Sequence, residues 1–327
     1  MSLLHERSFE YMSQYRFLHQ YIPQENEIPI YFEQGFLFNE LPHVHQQNNG
    51  CVHLLSALNT ATRLVEARCY FSVQSTKAVS PAAAPFGSIE FAGNLPDHVL
   101  NDFIQRLTQV AANVGAKTLQ LVNYPHCYAP VQADKVTGQL VKQGFSITET
   151  INNFHIPVTS HPFEQTITSA EHRRLRKCQQ AGFQFAQWLN PDIDFVTSYL
   201  VKARMLQNYP LSIPASRLAD LLCLFPDKFV VFVVKDGSTV AALTIAVRVR
   251  KDILYYYLPA SHPDYRSFSP MVMLIAGLYR YCQQHGISLL DLGVSLDNNR
   301  LPKPSLMRFK RNVGAQESLK LTFEKSL

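Results

Sequence analysis

Apolar residues recur along this chain with two periods, and the change from one to the other marks its elements. Around 252–295 the order is strand, loop, helix, strand. Residues 253–258 are apolar and aromatic, as in a buried strand. Ser269 and Pro270 then stand as N-cap and first helical residue. Met271, Leu274, Ile275, Leu278 and Cys282 fall on one helical face, Gly286 ends the helix, and 289–292 begins a second strand. A helix whose N-terminus opens beside the end of a sheet suits an anionic or acyl ligand. The same pattern also describes an ordinary strand–helix–strand unit that binds nothing.

The first half carries a worn form of this order. A strand is expected over 62–73, a proline-rich loop over 80–85, a short apolar piece at 89–91 and a helix start at Asn94, Pro96 and Asp97. Val99, Leu100, Phe103, Leu107, Val110, Ala111 and Val114 form a helical stripe that Gly115 closes, and 118–122 is a strand. The repeated order argues for a duplicated domain. Before it, the spacing of Leu4, Tyr11, Tyr15 and Leu18 predicts one helix over 1–18, 28–38 reads as strand material, 39–50 as a polar loop, and 52–60 as either helix or strand. A helix over 133–143 leads through Gly144 to strands at 146–149 and 151–158, and 159–165 reads as a linker. Thr168 and Glu171 then have capping-box spacing at the head of a basic helix ending at Gly182. A strand at 183–189 and helices over 192–207 and 214–225 precede a hairpin, 229–234 with 240–249, turned at Asp236-Gly237.

Composition narrows the class. With 327 residues, 46% hydrophobic and 17% charged, the chain can bury two domain cores. A formal charge of +5 admits an anionic ligand but is too small to argue for a nucleic-acid protein. The N-terminal segment lacks the apolar core of a signal peptide, and no run approaches membrane-span length. The six cysteines are dispersed without CxxC spacing, so reduced thiols in a cytoplasmic setting are expected. His43, His45 and His53 invite a metal reading, but no carboxylate or cysteine completes a ligand spacing, and no metal is expected.

The second half resembles the GNAT acyltransferase superfamily, in its Fem-type, tandem-domain branch. The residues that carry the resemblance are Tyr256, Tyr257, Ser269, Pro270, Gly286, Asp291, Gly293, Phe309, Lys310 and Gly314, together with Arg173, Arg174, Arg176, Lys177, Ala181, Gly182 and Phe183 of the basic helix. In the first half only 140–145 is similar, to the helix-to-strand junction near the end of a GNAT domain. The resemblance implies an α/β (α+β) fold of two tandem GNAT-like domains, each a mixed, largely antiparallel sheet flanked by helices. It implies a degenerate N-terminal domain over 1–158, a linker over 159–165 and an acyltransferase domain over 166–327. Two strands would splay apart around a thioester or aminoacyl donor. Where ordinary members carry a glycine-rich turn for the coenzyme A pyrophosphate, residues 262–271 hold no glycine. Some Fem-type members use aminoacyl-tRNA instead.

Acyl transfer to an amine needs a base, oxyanion donors and an acid for the leaving group. Asp291 is the candidate base or amine-orienting group; alternatively it caps the turn before Gly293. Tyr257 and Tyr265 are the candidate acids, with packing in the core as the alternative. Backbone amides over 257–261 or at Ser269 could hold the oxyanion. Leu258, Ala260, Arg266, Ser267, Ser269 and Met271 would bind acetyl-CoA or another acyl-CoA as co-substrate. Arg173, Arg176, Lys303, Arg308 and Lys310 would bind an anionic substrate or form a solvated basic face. The expected function is N-acyl transfer from an acyl-CoA or aminoacyl donor to a small-molecule or peptide amine. tRNA is the less favoured partner, because no heptad insertion supplies a helical arm for it. The alternative is a noncatalytic tandem module that binds a metabolite or a protein.

Overall fold

The computed structural model describes residues 14–47, 52–206, 211 and 213–327. The chain divides into two compact units: Met1–Tyr124, Val131–Thr148 and Thr322–Leu327 form one, and Pro125–Pro130 with Glu149–Leu321 the other. Strand pairing follows this division. Residues 153–157 ladder with strand residues 289–294 of the second unit, and 322–326 ladder with 118–122 of the first.

In the first unit β1 (Tyr15–Tyr21) is followed by α1 (Leu41–Gln47), β2 (His53–Asn59), β3 (Val65–Gln74), β4 (Lys77–Ser80), β5 (Glu90–Phe91), α2 (Asp97–Asn113), β6 (Thr118–Val122) and α3 (Pro130–Lys142). The strands pair in the order β1-β2-β3-β4-β6, and β5 adds to β3. Only β4 and β6 run parallel. This pair and α2 between them are the counterpart of the strand–helix–strand order in the second half, so the echo begins at Lys77 and not at 62–73. Leu100, Phe103, Ile104 and Leu107 of α2 are fully buried on the sheet.

Three local expectations in this unit are corrected. Residues 15–21 are a strand, not the end of a helix; Tyr15 and Leu18 have helical spacing, yet the register from Tyr15↔Asn59 to Tyr21↔His53 shows a complete antiparallel ladder. Residues 1–13 lie outside the described set. The polar stretch 39–50 contains α1, whose Gln47 donates inward to Phe38 O at 2.7 Å and contacts His43 Nδ1 at 3.1 Å, so the Gln47 side chain is satisfied inside. Residues 28–38 form no ladder beyond one bridge, Tyr31 to Val65.

The second unit continues with β7 (Ser146–Pro157), whose first three residues belong to the first unit; it replaces the two strands expected there. Then come α4 (Ser169–Gln180), β8 (Gln184–Gln187), α5 (Ile193–Met205), α6 (Ala215–Leu224), β9 (Phe229–Asp236), β10 (Thr239–Arg250), β11 (Ile253–Ser261), α7 (Pro270–Gln284), β12 (Leu289–Val294), α8 (Pro304–Asn312) and β13 (Gln316–Ser326). Pairing runs β7-β12-β11-β10-β9-β8, antiparallel except for β11 with β12. The sheet is thus mixed and largely antiparallel. Helix α7 is buried from Val272 to Tyr279 against Leu254, Phe232 and Leu290. Each such leucine-sized side chain contributes about 1.5–3 kcal/mol. Thr168 is the N-cap of α4, but its side chain makes no cap bond; Glu171 is fully buried and accepts from Arg174 at 2.6 Å.

One close approach in α7 fixes how β8 packs. A Cβ at Gly277 would stand 2.2 Å from the Phe185 ring, which itself stacks on Phe232. Gly277→Ala is expected to destabilise the protein by about 1–3 kcal/mol through overpacking. Thermal unfolding checks this, with Gly286→Ala, at an open position with φ +65°, as a comparison for backbone strain alone.

Candidate active site

The site grows from the way β11 and β12 part. They pair in parallel at only three positions, Ile253↔Leu289, Leu254↔Leu290 and Tyr255↔Asp291. Past Tyr255 each strand carries an irregularity. On the β10 side the register steps from Ala246↔Tyr256 to Ile245↔Leu258, so Tyr257 stands out of the ladder as a bulge. On the β7 side it steps from Asp291↔His155 to Gly293↔Phe154, passing over Leu292. Gly293 has φ +70°, and a Cβ there would meet the Tyr255 ring at 2.9 Å. Glycine is required at this bulge on both counts.

The parted strands enclose a cavity of about 810 Å3. One wall is 255–261 of β11 and the other is 292–294 of β12, with Ser269, Pro270 and Met271 of the α7 N-terminus beside them. Ser269 is the N-cap residue and Pro270 the first helical one, as expected, but Ser269 is in the left-handed conformation and its side chain makes no cap bond. Helix α8 closes a side through Leu306, Phe309 and Lys310, and Arg204 of α5 reaches in from another direction.

Six cations line the cavity: Arg174, Arg204, Arg266, Arg300, Lys303 and Lys310. Asp297 is the carboxylate among the lining residues, and it is engaged in its own loop, accepting from the amides of Asn299 at 2.8 Å and Leu301 at 2.9 Å. Two of the arginines are held by acids, Arg174 by Glu171 and Arg300 by Glu149, each at 2.6 Å. The remaining positive field favours an anion.

Lys310 is distinct from the others. It is 4% exposed, and its Nζ donates to the carbonyls of Gly293 at 2.9 Å and Val294 at 2.8 Å. Burial pushes its ammonium down to about 7, against the pull of the nearby Asp291. Lys310 is therefore an amine that can hold or release a proton at neutral pH.

Of the residues singled out in the sequence, Tyr257, Leu258, Ala260, Arg266, Ser269, Met271, Lys303 and Lys310 lie on the cavity. Ser267, Tyr265, Arg173, Arg176, Arg308 and Asp291 do not. Tyr265 packs against Phe183 at 5.6 Å and His262 at 5.8 Å, as an aromatic of the core edge. Arg173 and Arg176 point to solvent from α4, while Arg174, one step round the helix, reaches the cavity. Asp291 is 1% exposed and lies behind the wall, where it accepts from Tyr128 Oη at 2.6 Å, Asn153 Nδ2 at 2.7 Å and Gly293 N at 2.8 Å. Burial raises its carboxyl above the ordinary value while these donors work against the shift.

Sequence reasoning missed Tyr255, Arg204 and Arg300. The alternation of β11 could have flagged Tyr255, which shares a face with Tyr257, its ring 5.5 Å away. Nothing local marks Arg204 or Arg300. Among the described residues no group of three His, Cys, Asp or Glu side chains is arranged to hold a metal ion, and no helix is long and apolar enough to cross a membrane. Cys69, Cys127, Cys178, Cys223 and Cys282 are free thiols, and Cys51 lies outside the described residues.

Residues 172–311, which include every residue lining the cavity, match the model of the acetyltransferase (GNAT) domain. In fold the chain is similar to FemX, whose structure superposes with a TM-score of 0.68 over 89% of this chain and 92% of that one, at 12% identity. A tandem GNAT protein from the clavulanic acid biosynthesis pathway follows at 0.52, 11% identity, over 84% and 83% of the two chains. L-PGS from Bacillus licheniformis gives 0.51 at 13% identity over 79% and 80%. At these identities the likeness is one of fold. No curated protein matches the sequence.

Inorganic pyrophosphate, as a probe of the cationic wall, should raise the melting temperature of the protein. The double variant Arg266→Ala/Lys303→Ala should lose most of that rise; an undiminished rise would place the anion elsewhere.

Proposed function

We propose that this protein is an N-acyltransferase, moving an acyl or aminoacyl group from a phosphate-bearing donor to the amine of a small molecule or peptide. The observation that carries this reading is the gap between β11 and β12: it joins a bulged strand, an open helix end, a cationic lining and a lysine poised near neutrality. The matched GNAT domain supports acyl transfer as the class of reaction. Acyl-CoA and aminoacyl-tRNA both place phosphates near an activated carbonyl, and the six cations suit either. An acyl-CoA donor would be met in the cytoplasm.

In this reading the donor's carbonyl lies beside β11 with its oxygen toward the backbone amides around Tyr257, which the bulge leaves out of regular pairing. The acceptor amine attacks the carbonyl carbon. A carbon–nitrogen bond forms, and the carbon–sulfur or carbon–oxygen bond to the leaving group breaks. Neutral Lys310 takes the amine proton, and Tyr257 gives a proton to the departing thiolate or alkoxide. Arg266 and Lys303, both exposed at the mouth, and the α7 N-terminus hold the donor's phosphates.

The test is mass-spectrometric detection of N-acylated product from a panel of acetyl-CoA, longer acyl-CoA and aminoacyl-tRNA donors with amino acids, polyamines and peptides. Lys310→Met should lower kcat about 100-fold or more. Because the neutral amine is the active form, kcat/KM should climb as pH rises through about 7. Failure of every donor to transfer, with no thermal shift from any of them, would leave the binding-module reading.

A further inference from the structure

Behind the cavity wall the second unit holds a buried polar cluster that the proposed chemistry does not use directly. We propose that Asp291 is the positioning residue of this site, fixing the Gly293 bulge and supplying the counter-charge that holds Lys310 in place. The inference rests on the acyl-transfer reading for its catalytic meaning but not for its geometry.

The contacts form one continuous path. Tyr128, brought in by the Pro125–Pro130 segment, donates to one carboxylate oxygen of Asp291. Asn153 of β7 and the amide of Gly293 donate to the other. The bond to Gly293 N closes across the passed-over Leu292, so it pins the irregularity itself. The carbonyl of the same Gly293, with that of Val294, then receives Lys310 Nζ. Three donors on one carboxylate are arranged for its charged form. A buried anion needs a cation nearby, and the lysine ammonium answers it. Truncating Asp291 would thus loosen the two carbonyls that aim Lys310 and remove the charge that keeps it protonated.

The surroundings of this pair are mixed in sign. From β13, Lys320 also feels Asp291; burial lowers it to about 8, and Arg300 and Glu149 act on it in opposite directions. From β7, His155 is lowered by burial and raised by Asp291. Cys127 and Tyr255 are both raised by burial and by Asp291, so neither offers a competing charge at neutral pH. On α8 itself, Arg311 and Lys310 both lie over the Phe154 ring, 5.8 and 5.3 Å from its centroid. Within this set Asp291 is the group acting on both Lys310 and Lys320 in the direction that raises them.

The experiment reads Lys310 directly, without any assay of transfer. Reductive methylation with formaldehyde is followed against pH, and the rate at Lys310 is taken from peptide masses. The wild type should show a midpoint near 7, far from the ordinary lysine. In Asp291→Asn, which keeps the shape and loses the charge, the midpoint should fall by about one pH unit. Tyr128→Phe, milder and a safeguard should the first variant fail to fold, should shift it the same way by less. An ordinary wild-type midpoint, or one unmoved in a folded variant, overturns the proposal. If the enzyme transfers acyl groups, the rise of kcat/KM should move with the labelling midpoint. A labelling shift in a protein that transfers nothing would sustain the Asp291–Lys310 link and sink the acyltransfer reading alone.

Discussion

The second unit depends on a failure of pairing. Two parallel strands join for three residue pairs and then separate, because a bulge at Tyr257 turns one away and an irregularity at Leu292 with a left-handed Gly293 turns the other. A sheet that gives up ladder bonds must satisfy those groups elsewhere or leave them for a ligand. Here Asp291 and Lys310 satisfy part of the debt on the β12 side, through Gly293 N, Gly293 O and Val294 O. The cavity between the strands is where the remaining polar groups meet solvent. The helix start, the cations and the aromatic wall gain their chemical meaning from that gap.

Burying Asp291 and Lys310 beside the gap is costly unless their charges answer one another. Burial drives the Asp291 carboxyl up and Lys310 and Lys320 down, which is toward neutrality on each side. The result is a lysine, Lys310, that titrates near the pH at which acyl transfer to an amine needs a proton acceptor. A lysine on an exposed helix face would remain a fixed cation and could only bind. The depth of Lys310, set by the short helix α8 and the Phe154 ring beneath it, makes the difference.

Much of this was legible in the sequence, for reasons that can be named. Long apolar stripes, proline at a helix start and glycine at helix ends gave α2, α7 and their flanking strands, and β6 was read at its observed bounds. The pattern failed where polar residues turn inward. In α1, Gln47 and His43 are buried and bonded to each other, so a buried helix reads as a loop. In β1, a strand of mixed exposure mimicked helical spacing. Asp291 was visible as a chemical residue, but its orientation depends on a three-donor nest drawn from residues 128, 153 and 293, which no local window contains. Arg174 and Arg173 differ only in helical phase, and capping-box spacing could not reveal that Glu171 is buried and turned to Arg174. Arg204 and Arg300 reach the cavity through tertiary placement alone.

The most direct measurement is a crystal structure with a non-transferable analogue of the acyl donor, a thioether in place of the thioester or an amide in place of the ester. The acyl carbon is expected between β11 and β12, within reach of Lys310 and the Tyr257 bulge, with phosphates at Ser269 and Arg266. An analogue bound in another part of the molecule, with this gap left open, would contradict this placement.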